Sequence, residues 1–252
     1  MNRIEDMLTN IELIHNVKIL YACEAGSRAY GFATEGSDYD IRFIYVAPLK
    51  NYLSLWKKED TITQQDDMYD IQGWDIKKAL LLARKSNPSL YEWMLSPIIY
   101  RELDFAMLSL KDTVLKDYSS KVLAFHYANM AKNNLHAWSK KNVASHLVHA
   151  VRASLMLEQV IHNKPVTIEF EELIKKSNTF TQEDLGLLFC LKTREEITDK
   201  LHISQLHAKV SNFIDASEES LVFLKEGTVN RNMLEELFFQ QLGIEGEGDH
   251  KS

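Results

Sequence analysis

The stretch GSRAYGFATEGSDYDIRFIYV, residues 26–46, decides how this chain is read. Gly26 and Ser27 are followed by ten residues, then by Asp38-Tyr39-Asp40, which opens the apolar run Ile41 to Val46. Side chains alternate faces along a strand, so Asp38 and Asp40 point one way while Tyr39 and Ile41 point the other. Two carboxylates on one spot repel each other unless they share a proton or hold a cation. Glycine lets an anion approach the backbone closely, and the N–H groups and hydroxyl that follow Gly26 can face a nucleotide phosphate. Magnesium (Mg2+) or manganese (Mn2+), which prefer oxygen donors, would complete the pair.

Outward from this stretch, an amphipathic helix is expected over about Ile4 to Asn16, then a buried strand from Val17 to Cys23 that delivers the Gly-Ser turn. Asp38 to Val46 forms the second strand, ended by Pro48. Lys57 to Asp67 reads as a polar stretch, and Met68 to Gln72 as a short third strand. Asp75 stands as N-cap before the helical period Ile76, Ala79, Leu80 and Ala83, and Asn87-Pro88 starts a further helix. Ile98 to Tyr100 is expected as an edge strand. From about Leu103 the pattern is helical throughout, with helices expected near 104–117, 120–139, 142–163, 168–176, 181–190, 204–225 and 229–242. The fold class is therefore α+β: a small mixed β-sheet with flanking helices over residues 1–102, an all-α domain over 103–244, and a charged, Gly-rich tail, 245–252, expected to be disordered.

A third carboxylate would turn the pair into a two-metal site, in which one ion activates an attacking hydroxyl and the other carries the triphosphate. Asp70 and Asp75 compete for that role. Asp75 is explained as an N-cap, whereas Asp70 lies in a strand from which it can reach the same cleft. Asp70 is the choice.

Composition narrows the partners. The net charge of −7 leaves no global basic field, so extended duplex DNA is not expected. A nucleotide or a short RNA end needs only a local patch. Cys23 and Cys190 are far apart and lack metal-ligand spacing, which fits a reducing compartment. With no apolar leader and no apolar run long enough for a membrane span, the expected location is the cytoplasm.

Gly26-Ser-Arg-Ala-Tyr-Gly31, Ser37-Asp-Tyr-Asp-Ile-Arg42, Asp70-Ile-Gln-Gly-Trp-Asp-Ile-Lys-Lys-Ala79 and Ser86-Asn-Pro88 carry a resemblance. The chain resembles the polymerase-β-like nucleotidyltransferase superfamily and, more narrowly, the YcgL-type predicted nucleotidyltransferases, some of whose relatives accompany RNA-ligase repair systems. The resemblance is dense over residues 20–101 and thin beyond. It implies that Gly26 and Ser27 hold a nucleoside triphosphate, that Asp38 and Asp40 bind metal, and that Asp70 binds metal or acts as base toward an acceptor hydroxyl. The product of that chemistry is a nucleotidylated acceptor and pyrophosphate. RNA 3′ ends, a small-molecule alcohol and a protein hydroxyl are the acceptors to consider, in that order. A non-catalytic, nucleotide-binding or antitoxin-like partner on the same fold is the rival reading.

Nearby cations have two readings each. Arg42 is in phase with Asp38 and Asp40 and can bind phosphate or orient a carboxylate by a salt bridge; Arg28 is next to the Gly-Ser pair. Arg152, with Lys140 and Lys141, could present positive charge across a cleft to a triphosphate or an RNA backbone. Lys77, Lys78, Arg84 and Lys85 read chiefly as a solvated helix face. Trp74, Trp93 and Trp138 read as packing residues.

Overall fold

The computed structural model describes residues 3–102, 105–164, 166–193, 200–227 and 229–244, so the expected disordered tail, 245–252, lies outside the described residues. Five strands form one mixed sheet. In chain order the first half consists of α1 (Arg3–His15), β1 (Lys18–Glu24), α2 (Gly26–Ala29), β2 (Tyr39–Val46), α3 (Leu49–Tyr52), β3 (Thr61–Gln65), β4 (Tyr69–Asp75), α4 (Ile76–Arg84), α5 (Pro88–Met94), β5 (Ile99–Glu102) and α6 (Phe105–Asp117). The strand order is β3-β4-β2-β1-β5. β2 and β4 run parallel, with Asp40 opposite Asp70, and every other neighbouring pair is antiparallel. The edge strand expected at 98–100 is β5; β3 falls within the stretch read as merely polar, and β4 runs on to Asp75.

Alternation along β2 decides what lies where. Ile41, Phe43 and Tyr45 join Ile19, Tyr69 and Ile71 in a core closed by Ile4, Leu8 and Ile11 of α1. Asp40 and Arg42, the residues between, belong to the opposite face. Farther along the sheet, Trp74 stacks on Trp93 of α5 with centroids 3.8 Å apart, and the Tyr21 hydroxyl donates to the Trp93 carbonyl at 2.7 Å. These tryptophans pack, as expected from their helical and strand settings. A Cβ on Gly73 would come within 2.1 Å of the fully buried Phe43 ring. Gly73→Ala should therefore lower stability by about 2 kcal/mol or more, the usual range for overpacking a core, read as a shift in denaturant midpoint at unchanged slope.

Asp75 ends β4 and caps α4, its Oδ1 accepting from the Lys77 N–H at 2.8 Å. Its Oδ2 accepts from the Tyr52 hydroxyl at 2.8 Å. Burial pushes the Asp75 carboxyl above its ordinary value of 3.8. A carboxyl raised in the folded state favours folding most when protonated, so this contribution declines as pH climbs from 3.8 through the raised value. Asp75→Asn keeps a capping oxygen and should flatten that part of the melting-temperature profile.

The second half contains α7 (Ser120–Lys141), α8 (Ala144–Ile161), α9 (Phe170–Lys176), α10 (Gln182–Thr193), α11 (Lys200–Leu221) and α12 (Arg231–Gln241). Two compact units divide the chain: 1–29 with 37–118 and 228–252, and 30–36 with 119–227. This partition differs from a division at residue 102 in two ways. α6 and α12 belong to the sheet unit, where the Thr113 hydroxyl of α6 meets the Met233 sulfur of α12 at 3.4 Å and Phe238 of α12 meets the Tyr52 ring edge-on at 5.4 Å. Residues 30–36, taken from the middle of the Gly-Ser to Asp-x-Asp spacer, belong to the helical unit.

That helical unit is organised around α8, which is buried on nearly all sides and follows α7 through the left-handed Asn142, φ 51°. Phe32 from the 30–36 segment packs between Phe170 and Phe189, with centroids 4.7 and 4.2 Å away. The Phe170 N–H donates to the Tyr30 carbonyl at 2.9 Å, and Lys192 Nζ donates to the Phe32 carbonyl. Among the described residues no helix is long and apolar enough to cross a membrane.

Candidate active site

Register brings the two central carboxylates together. Because β2 and β4 are parallel neighbours with Asp40 opposite Asp70, both side chains leave the sheet side by side on one face. Arg42, two residues on and therefore on that same face, donates from Nη2 to Asp40 Oδ1 at 2.9 Å and to Asp70 Oδ2 at 2.7 Å. Its Nη1 also donates to the Asp70 carbonyl at 2.8 Å. Of the two roles weighed for Arg42, orientation of carboxylates is the one its contacts display.

Glycine is required at position 26. It adopts φ +57°, and a Cβ there would lie 1.9 Å from Asp40 Oδ2. The motif's two halves thus touch: the Gly-Ser turn on α2 rests against the Asp40 carboxylate. The Ala25 N–H donates to the Asp40 carbonyl at 2.7 Å and fixes the approach. Ser27 is half-buried beside it on α2. Asp38 is exposed, immediately before β2.

A residue that sequence reasoning passed over supports this arrangement from below. Glu24, 1% exposed at the end of β1, accepts from the Asp40 N–H at 2.7 Å and from the Tyr100 hydroxyl of β5. Burial pushes its carboxyl above the ordinary value of 4.5, opposed by those two hydrogen bonds. The available signal was an acid closing an otherwise apolar strand, two residues before the motif glycine.

Arg28 and Arg152 make contacts of their own within their units. Arg28 donates from Nε to the Asp38 carbonyl at 3.0 Å and from Nη2 to the Ser37 carbonyl at 2.7 Å, and its guanidinium covers the Tyr39 ring at 3.8 Å. It fastens the end of the spacer to its start. Arg152, 1% exposed in α8, lies 3.5 Å over the Tyr30 ring within the helical unit. Its helix is buried all round, so the charge is held inside against an aromatic face.

The donor set fits a hard divalent cation. Burial pushes the Asp40 carboxyl up from 3.8, Arg42 opposes the shift, and the charges of Asp38 and Asp70 add to it. The paired Asp40 and Asp70 carboxylates, with Asp38 near enough for its charge to act on Asp40, outnumber the one guanidinium, and a cation would relieve that excess negative charge. Asp40 Oδ2, Asp70 Oδ1 and the Asp38 carboxylate accept no hydrogen bond among the described residues. The described residues hold no ready-made cluster of three His, Cys, Asp or Glu ligands, and Arg42 bridges Asp40 and Asp70.

A small mixed sheet with helices, a Gly-Ser turn and paired strand carboxylates defines a nucleotidyltransferase-type protein. The chain belongs to the RNA repair pathway DNA polymerase beta family, RlaP, whose sequence profile matches residues 1–240. The uncharacterized protein YcgL of Bacillus subtilis (strain 168) is 42% identical over 134 residues, 53% of this chain and 52% of that protein. The chain thus spans about half the length of the curated relative it matches. A nucleotidyltransferase-like protein from Exiguobacterium sibiricum 255-15, known from a crystal structure, is similar at 11% identity and a TM-score of 0.34, over 85% of this chain and 76% of that one.

Proposed function

We propose that this protein is a metal-dependent nucleotidyltransferase that moves a nucleoside monophosphate from an NTP to an acceptor hydroxyl and releases pyrophosphate. The observation that carries this reading is the in-register Asp40–Asp70 pair with Gly26 packed against Asp40 Oδ2. Asp38, Asp40 and Asp70 would hold magnesium or manganese, which supplies charge neutralisation of the triphosphate and a lowered barrier to hydroxyl attack. Gly26 and Ser27 bind phosphate through backbone N–H and hydroxyl groups. Asp70, the more outward of the paired carboxylates, orients the acceptor hydroxyl and takes its proton as the hydroxyl oxygen attacks the α-phosphorus in line. Arg42 keeps Asp40 and Asp70 apart and aligned, and Glu24 fixes the backbone beneath Asp40.

RNA ends are the first acceptor to test, because the family is one of RNA repair. The deciding experiment incubates the protein with each α-labelled NTP, magnesium and pooled cellular RNA, protein and small molecules, then asks which fraction carries label. Label in RNA establishes the acceptor. If no fraction is labelled and a partner protein co-purifies, the non-catalytic reading replaces this one.

A further inference from the structure

At the opposite end of β2 from Asp40, a cleft of about 450 Å³ opens beside Ala47 within the sheet unit. Its walls come from the segment after α3 and from the start and outer side of α4. Lys57, Lys58, Lys77 and Lys85 line it and are exposed, and none of the four makes an ion pair among the described residues. The fifth lysine, Lys78, is paired with Asp60 at 2.9 Å. Of the remaining acids in the wall, Asp75 is buried beneath the Tyr52 hydroxyl, and only Glu59 faces solvent. In a chain of net charge −7, this is a local concentration of positive charge.

An aromatic ring stands among these lysines. Trp56 is 78% exposed, the reverse of the other tryptophans of this unit, Trp74 at 9% and Trp93 at 4%. The Trp56 backbone N–H, not the indole, donates to the Ser54 hydroxyl at 3.2 Å. An indole standing in water offers an open aromatic face on which a base can stack. The volume falls in the range of small-ligand pockets, with room for a base and its sugar. Bases that stack and phosphates that need cations alternate along a single strand of nucleic acid, and an exposed indole flanked by lysines matches that alternation. A bilayer surface, being flat, does not reach into a cleft.

We infer that this cleft binds a single-stranded polynucleotide, with Trp56 stacking on a base and Lys57, Lys58, Lys77 and Lys85 holding the neighbouring phosphates. The inference deepens the proposed function and rests on its reading of the acceptor as an RNA end: the end lies at Asp40 and Asp70, and the body of the strand lies in the cleft. Asp40 and Ala47 are seven residues apart on an extended chain, roughly 20 Å. At about 3.4 Å per stacked nucleotide, a strand of roughly six nucleotides spans that distance.

The test is fluorescence anisotropy of labelled single-stranded RNAs of graded length against the full chain, with melting curves as the control for folding. Affinity should rise until the strand reaches about six nucleotides and then level off. Trp56→Ala, at an exposed position, should weaken binding roughly tenfold. Changing Lys57, Lys58, Lys77 and Lys85 together to Gln should lower the salt-dependence slope by about three. If wild-type protein binds RNA and both variants bind it equally well, the cleft is excluded while the RNA-acceptor reading stands. If wild-type protein binds no RNA but labels protein or small molecules from an NTP, the acceptor reading fails and the cleft assignment with it. Equal binding of a mononucleotide, or of phosphatidylserine vesicles, lost in the same variants, would overturn the polynucleotide assignment.

Discussion

Replacing Asp38 and Asp40 together by asparagine should abolish nucleotidyl transfer, by about a thousandfold or more, while the chain still folds. The loss follows from charge rather than shape: asparagine preserves the side-chain outline but removes two anionic oxygen donors. Metal assistance contributes several kcal/mol to such reactions, and each 1.4 kcal/mol is a factor of ten. Folding is spared for a reason visible at Asp40. Its carboxyl is raised above 3.8 by burial and by its acidic neighbours, so the charged form costs stability at neutral pH. A neutral isostere lifts that cost, and the Asn oxygen can still accept from Arg42. The melting temperature at neutral pH should therefore hold or rise as activity disappears, the opposite of what an unfolded variant would give. Full activity of the double variant under magnesium would refute the assignment.

Gly26→Ala should lose transfer by about a hundredfold or more. An alanine there meets two obstacles, a left-handed backbone at φ +57° and a collision with Asp40 Oδ2 at 1.9 Å. The first costs about 1–2 kcal/mol of stability. The second moves a reacting-site carboxylate, and displacements of about 1 Å commonly cost a hundredfold in rate. Two further variants separate them. Gly26→Asn tolerates the left-handed backbone but still collides, so it should be as inactive as Gly26→Ala. Gly31→Ala, at φ +64° with nothing within 4 Å, carries strain without collision and should retain far more activity. Equal losses at positions 26 and 31, measured as kcat/KM beside a melting curve, would show that close approach to Asp40 is immaterial.

Much of this site was legible because it is local. A Gly-Ser turn, an alternating strand and a capping Asp75 each show within a few residues, and the structure has the helix beginning at Asp75 and the turn against Asp40. What escaped was fixed by distant packing. β3, Thr61–Gln65, has one buried residue, Ile62, so its pairing with β4 leaves almost no apolar alternation to read. Glu24 was hidden because a buried acid has no periodic signature; its partners are the Asp40 N–H and Tyr100, 76 residues away. The burial of Arg152 was equally hidden: its spacing to Lys140 and Lys141 suggested charge presented across a cleft and gave no sign that α8 is enclosed and that Tyr30 meets its guanidinium. Nothing local announces that Phe32 will pack against Phe170 and Phe189.

The return of α12 to the sheet unit bears on how the chain is made. Residues up to 118 contain every strand found among the described residues and all of the candidate catalytic carboxylates, yet Met233 and Phe238 supply contacts to Thr113 and Tyr52. At about 5–20 residues per second, a ribosome needs roughly ten seconds to travel from residue 118 to α12. During that interval the nascent sheet unit exposes the surfaces that α12 later covers. The sheet unit, although its strands are made before the helical unit, is thus completed after it, and the carboxylates are assembled on a scaffold that waits for its closing helix.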